Sequence, residues 1–186
     1  MTRRALALVV LALTLAVGAA DAAARPRNDR TPAAASTRQI SEMPELQAQV
    51  LYAINDLRRE RGLSGLRLNS ALSTTALGHS VSMAQHGFFS HEGWNGSPFW
   101  QRLKPKYRPL ANSNWAVGEN LVWASPGLSA GKVLAMWLSS APHRRNLLTP
   151  AWREIGLGAV RALAAPGVYQ GLDATIVTAD FGVRRK

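Results

Sequence analysis

The sequence contains no cysteine, and this constrains the fold more than any other single feature. No disulfide can staple the chain, and no thiolate can hold a metal or carry a lipid. Whatever forms must be held by an apolar core. The stretch from Glu42 to Val183 is long enough to bury well over half of its unfolded surface. The constraint matters because the N-terminus reads as an export signal. Arg3-Arg4 precede an apolar run from Ala5 to Ala20, and small residues follow through Ala24. The run is shorter than the roughly 20 residues that span a bilayer. Residues 1–24 are therefore expected to be a signal peptide, which leaves no transmembrane helix in the mature form. The expected destination is extracytoplasmic, either secreted or periplasmic. Residues 25–41 are rich in Pro, Ala, Arg, Ser and Thr. They bury too little apolar surface to offset the entropy of ordering, so a flexible leader is expected there.

The formal charge is +11, falling to +10 if Arg3, Arg4 and Asp21 leave with the signal. Such a balance favours anionic partners: a cell-envelope polymer, lipid headgroups or nucleic acid. The arginines are scattered, and no recognised nucleic-acid motif accompanies them.

Periodicity sets out the elements. Leu46, Val50, Ala53, Ile54 and Leu57 recur at helical spacing after Pro44, with Arg58, Arg59, Glu60 and Arg61 on the outer face and Gly62 as a stop. Asn69 or Ser70 caps a second helix whose inner face carries Leu72, Ala76, His79 and Met83, and Gly87 ends it. A short helix follows Ser97-Pro98 and runs through Leu103. A strand spans Trp115 to Trp123, a helix Ser129 to Ser139, and two strands Glu154 to Arg161 and Thr175 to Phe181. Helices first, then a strand, a helix and two strands, indicate an α+β domain.

Five stretches carry a resemblance. They are Asn55-Asp56-Leu57-Arg58 with Gly62-Leu63 and Leu66-Arg67-Leu68; His79-Ser80 and Met83 with Gly87-Phe88-Phe89-Ser90-His91; Gly118-Glu119-Asn120-Leu121; Trp137 through Leu148, including Pro142-His143-Arg144-Arg145-Asn146; and Glu154-Ile155-Gly156-Leu157-Gly158. In this order they resemble the bacterial, SCP-like branch of the CAP superfamily of cysteine-rich secretory, antigen 5 and pathogenesis-related proteins. The resemblance covers residues 42–183. It implies a three-layer αβα sandwich, with a small antiparallel sheet between helices, and a cleft of two histidines and two acidic residues that binds a divalent metal in some relatives. His91 matches the first histidine and Glu119 the first glutamate. Ala135 stands where the second glutamate is expected, and Ile176-Val177-Thr178-Ala179-Asp180 offers no second histidine. A degraded cleft with at most weak zinc binding, through His91 and His143, is therefore expected.

Other readings of the same residues stay open. His91 can fix its own loop, Glu119 can brace a strand and needs a partner if it points inward, and His143 can stabilise a turn after the helix, with Asn146 as its brace. Arg144 or Arg145 can pair with Glu154. His79 is expected to be a satisfied core histidine. Trp115, Trp123 and Trp137 suit core positions, whereas Trp94 and Trp100 can rim a groove. No nucleophile beside an oriented base is visible, and no Gly-x-Ser-x-Gly elbow exists. The resemblance implies a binding module for a lipid or sterol-like ligand, an envelope polymer or a protein partner. The alternative is a metal-dependent hydrolase using His91, Glu119 and His143.

Overall fold

The computed structural model describes residues 39–111 and 114–185. The segment read as a signal peptide, and all of the leader but its last three positions, lie outside the described residues. Helices α1 (Pro44–Glu60), α2 (Ser70–His86), α3 (Phe99–Leu103), α4 (Ala130–Ser139) and α5 (Ala141–Leu148) alternate with strands β1 (Ile40–Glu42), β2 (Arg67–Leu68), β3 (Asn114–Ala124), β4 (Glu154–Ala162) and β5 (Ala174–Arg185). The punctuation follows local chemistry. Pro44 opens α1, the Asn69 side chain accepts from the Leu72 N–H at 3.1 Å to cap α2, and Ser129 caps α4 in the same way.

The strands form one sheet in the order β1-β4-β5-β3, antiparallel throughout, with β2 lying parallel beside the start of β4. Alternation along β4 and β5 sends Ile155, Leu157, Val177, Ala179 and Phe181 to one face, where they meet Ile54, Val133, Trp137 and Leu147 of α1, α4 and α5. Val160 and Ile176 point to the other face, against Met83 of α2. The result is an αβα sandwich. Gly156 and Gly158 let α2 lie directly on β4. A Cβ at either would sit inside the α2 backbone at Leu72–Ser73 or Ala76–Leu77.

Four local expectations are corrected. Strand β1 takes in Ile40 and Ser41, placed by composition in the leader, because their backbone pairs with Ala162 and Arg161. Arg67-Leu68, for which periodicity set out no element between the Gly62 stop and the Asn69 cap, pairs with Glu154-Ile155. His143 does not follow the last helix on a turn: Ala141–Leu148 is a helix of its own, with Pro142 in its first turn. Arg58 does not lie on the outer face of α1 but is completely buried. Its guanidinium donates to the carbonyls of Ser64, Leu147 and Thr149, and so closes the C-terminus of α5.

Candidate functional site

The loop after α2 is fixed at its base before it presents any chemistry. Gly87 ends the helix at φ +70°, and a Cβ there would run into Pro166. Three successive side chains then hold the loop backbone. The Tyr169 hydroxyl donates to the Phe88 carbonyl at 2.9 Å, a His79 ring nitrogen to that of Ser90 at 2.9 Å, and Arg102 to that of His91 at 3.4 Å. His79 is buried, and burial pushes its pKa below the usual value, so it serves this bond as a neutral imidazole. His91 emerges from this support with its side chain half exposed.

Glu119 meets it from the middle of β3. Its side chain is almost wholly buried, and Oε1 lies 2.8 Å from His91 Nδ1. Its Oε2 accepts from the Arg102 guanidinium, which reaches in from α3. Behind it, in register on β5, lies Asp180, which is fully buried. Asp180 Oδ2 lies 2.7 Å from the Thr75 hydroxyl, and that hydroxyl is also 2.8 Å from the Leu72 carbonyl. Burial, and then the neighbouring Glu119 charge, push the Asp180 pKa well above the carboxylate range. Two carboxylates side by side in the interior cannot both ionise. Arg102 faces Glu119 and not Asp180, so burial acts on Asp180 without a paired counter-charge.

His143 stands on the same side, its ring centroid 6.4 Å from that of His91. Burial, then the charge of His91, lower its pKa. Two asparagines join its helix to β3. Asn120 donates to the His143 carbonyl, and Asn146 donates to both the Glu119 carbonyl and Asn120 Oδ1, each at 3.0 Å. Gly118 makes room for this join, since a Cβ there would press on Trp152 and Asn146. Beyond His143 a groove of about 260 Å3 runs past Phe89, Leu121, Trp123 and Met136.

The structure thus brings His91 and Glu119 into direct contact and sets His143 near His91 rather than on the carboxylate. Sequence reasoning gave Glu119 the need of a partner if it points inward without identifying Arg102, and it gave no role to Asp180. The signal for Asp180 was a lone carboxyl in an otherwise apolar strand. Arg102 carried none. Glu154 has no contact with Arg144 or Arg145; Asn69, Tyr107, Arg67 and Arg184 surround it.

The donor set does not suit a divalent metal. Both Glu119 oxygens are engaged, and the Arg102 guanidinium already supplies the positive charge. Ala135 is exposed on α4 and offers no ligand. Only the outer nitrogen of His91 and the ring of His143 remain, fewer than the three protein ligands of a catalytic zinc site.

The sequence matches the model of the cysteine-rich secretory protein family, CAP, over residues 51–171. The uncharacterized protein YkwD of Bacillus subtilis strain 168 is 28% identical over 128 residues, covering 68% of this chain and 47% of that protein. The chain therefore spans about half the length of that relative. An outer surface protein from Borrelia burgdorferi superimposes with a TM-score of 0.60 at 19% identity, over 80% of this chain and 100% of that one. This is a likeness of fold. An extracellular protein containing a SCP domain from Bacillus anthracis strain Ames gives a TM-score of 0.57 at 26% identity, over 77% of this chain and 41% of that one.

Proposed function

This chain belongs to the cysteine-rich secretory protein (CAP) family, and from that premise we propose that it is an extracytoplasmic binding module rather than an enzyme. The observation that carries the reading is the groove beside His143, lined by Phe89, Leu121, Trp123 and Met136 and rimmed by Ser140 and His143. Apolar walls with a few polar groups at the mouth suit an apolar ligand that carries one polar end. In the His91–Glu119–Arg102 cluster beside it both carboxylate oxygens are engaged, and this pairing holds the rim in place.

The extracytoplasmic setting is supported by the signal-like layout of Arg3-Arg4 and the apolar run after it. It is also supported by the B. anthracis relative, described as extracellular. No helix among the described residues is long and apolar enough to cross a membrane. A metal-dependent hydrolase built on His91, Glu119 and His143 finds no support in the donor set. Zinc, if it binds, does so through the two histidines and weakly.

Two titrations test the reading. A dansyl-labelled eleven-carbon fatty acid should bind saturably, with transfer from the groove tryptophans, and Met136→Asp should weaken it roughly tenfold or more. An unchanged affinity in Met136→Asp overturns the assignment of the groove. Calorimetry with zinc chloride at neutral pH should give an affinity no better than about micromolar, since each missing ligand costs at least as much as the 10–100-fold of an outer-sphere change. Nanomolar binding lost in His91→Ala would restore the metal reading.

A further inference from the structure

A second surface stands apart from that groove and shares none of its lining residues. Two concavities meet at Gln101 of α3. One, of about 610 Å3, is lined by Trp100, Lys104, Pro105, Arg108 and Pro109. The other, of about 500 Å3, lies against Trp94, Asn95, Ser97 and Ser82. His79 and Arg102 line the second as well, so this surface adjoins the Glu119 cluster.

Its chemistry is graded along its length. At one end Trp94 is 62% exposed, yet its indole is not loose. His86 stacks on it at 4.9 Å with only 11° between the rings, and Phe88 lies 5.7 Å away. One face of the indole is held, so little entropy is lost when a ligand covers the rest. Asn95 and Ser97 beside it are joined, Asn95 Oδ1 accepting from the Ser97 N–H at 3.1 Å, which leaves the Asn95 amide N–H groups for a ligand. In the middle, Trp100 is 41% exposed beside the Gln101 amide. At the far end Lys104, Lys106 and Arg108 are exposed. None of the three forms an ion pair among the described residues, and residues 93–111 contain no acidic side chain. The positive charge at this end is thus uncompensated locally.

The geometry points to a binding site for an acidic polysaccharide, a chain of sugar rings bearing carboxylates. Flat indole faces suit the apolar faces of sugar rings, and amides and hydroxyls suit their hydroxyls. The lysines and Arg108 suit carboxylates, through charge-assisted bonds. A nucleic acid is a poorer match, because a phosphate backbone asks for free cations along the whole track, whereas at the Trp94 end the lining cation, Arg102, is already paired with Glu119. A membrane surface is a poorer match as well, because the indoles line concavities instead of protruding.

Titration of the full chain with octagalacturonate, followed by tryptophan fluorescence and calorimetry, tests this. Saturable binding is expected, weakening as salt rises. Maltooctaose, of the same length without charge, should bind at least about tenfold more weakly. Trp94→Ala and Trp100→Ala should each cost roughly tenfold, and the double change Lys104→Gln, Arg108→Gln roughly tenfold with a shallower salt slope. Trp94→Phe should retain most of the affinity, which separates loss of a ring platform from loss of the fold. Met136→Asp, in the other groove, should leave octagalacturonate binding unchanged, so this site and the apolar groove can fail separately. Absence of saturable binding overturns the proposal, as does binding indifferent to both tryptophans, which would be plain polyanion attraction. A twelve-residue oligothymidylate, or phosphatidylglycerol vesicles, binding as tightly and losing affinity in the same variants, would overturn it in favour of that partner.

Discussion

Glu119 and Glu154 are both strand carboxylates with every oxygen engaged, yet they do different work. Glu154 accepts from Asn69 at 3.0 Å and from the Tyr107 hydroxyl at 2.6 Å, with Arg184 at 3.4 Å and Arg67 at 3.8 Å. Burial acts to raise its pKa, but these hydrogen bonds and charges outweigh it and hold the carboxylate below its ordinary value. Tyr107 is pushed well above its usual range by burial and by Glu154, and Arg184 lies over its ring at 4.1 Å. Nothing in that cluster changes charge near neutral pH. It ties β4, the cap of α2, the loop after α3 and β5 together. The Glu119 carboxylate is as fully engaged, but its cluster leaves Arg102 Nε and Asp180 Oδ1 buried without a partner among the described residues, it includes the half-exposed His91 and a neighbouring histidine, and grooves open beside it. Saturation alone therefore does not separate a brace from a site. Titratable partners and access to solvent do.

The contrast can be broken most forcefully at Glu119. Glu119→Ala leaves the Arg102 guanidinium, only 18% exposed, without its counter-charge, and should cost about 3–5 kcal/mol in urea unfolding. A loss below about 1 kcal/mol would mean that the cluster is solvated and not part of the fold. Glu154→Gln keeps the shape and removes the charge. It should cost about 1–3 kcal/mol and leave the affinity for the dansyl fatty acid within about twofold. A comparable loss of binding there would erase the distinction between the two sites.

Asp180→Asn sharpens the contrast through pH. The Asp180 pKa is raised in the fold, so above about pH 4 the unfolded chain releases a proton that the folded chain keeps. Wild-type stability should then fall, relative to the variant, by up to about 1.4 kcal/mol per pH unit until the folded group also ionises. Stability curves that stay parallel from pH 4 to 7 would show Asp180 to be ionised. The smallest effect is expected at His79, whose shift has the opposite consequence. A histidine with a lowered pKa contributes stability fully above about pH 6.5 and loses it as the pH falls toward its folded pKa. His79→Gln keeps a donor for the Ser90 carbonyl and should flatten the acid limb of a melting-temperature profile just below about pH 6.5, with His143 supplying the slope that remains there and Glu154 that at lower pH. An unaltered limb would assign the acid sensitivity elsewhere.

Much of the fold was legible because it rests on local rules. The apolar spacing of Leu46, Val50, Ile54 and Leu57, the Asn69 and Ser129 caps and the Gly87 stop each act within a few residues. The short pieces were not legible. Strands β1 and β2 exist only because β4 offers free backbone groups beside them, and no periodicity can show in two or three residues. Helix α5 was hidden by its composition: Pro142, His143 and two arginines read as a turn, and burial of Leu147 with the cap from Arg58 makes it a helix.

At the site, the sequence by itself determined which groups were available: His91 behind two phenylalanines, Glu119 amid apolar neighbours, and Ala135 where the resemblance led to the expectation of a second glutamate. It also determined that a chain without cysteine depends on packing. Only the tertiary structure decided who meets whom. The register of β3 on β5 set Asp180 beside Glu119, and the placement of α3 delivered Arg102. A carboxylate's charge state depends on distances across strands and on burial, and neither is a property of any one stretch of chain.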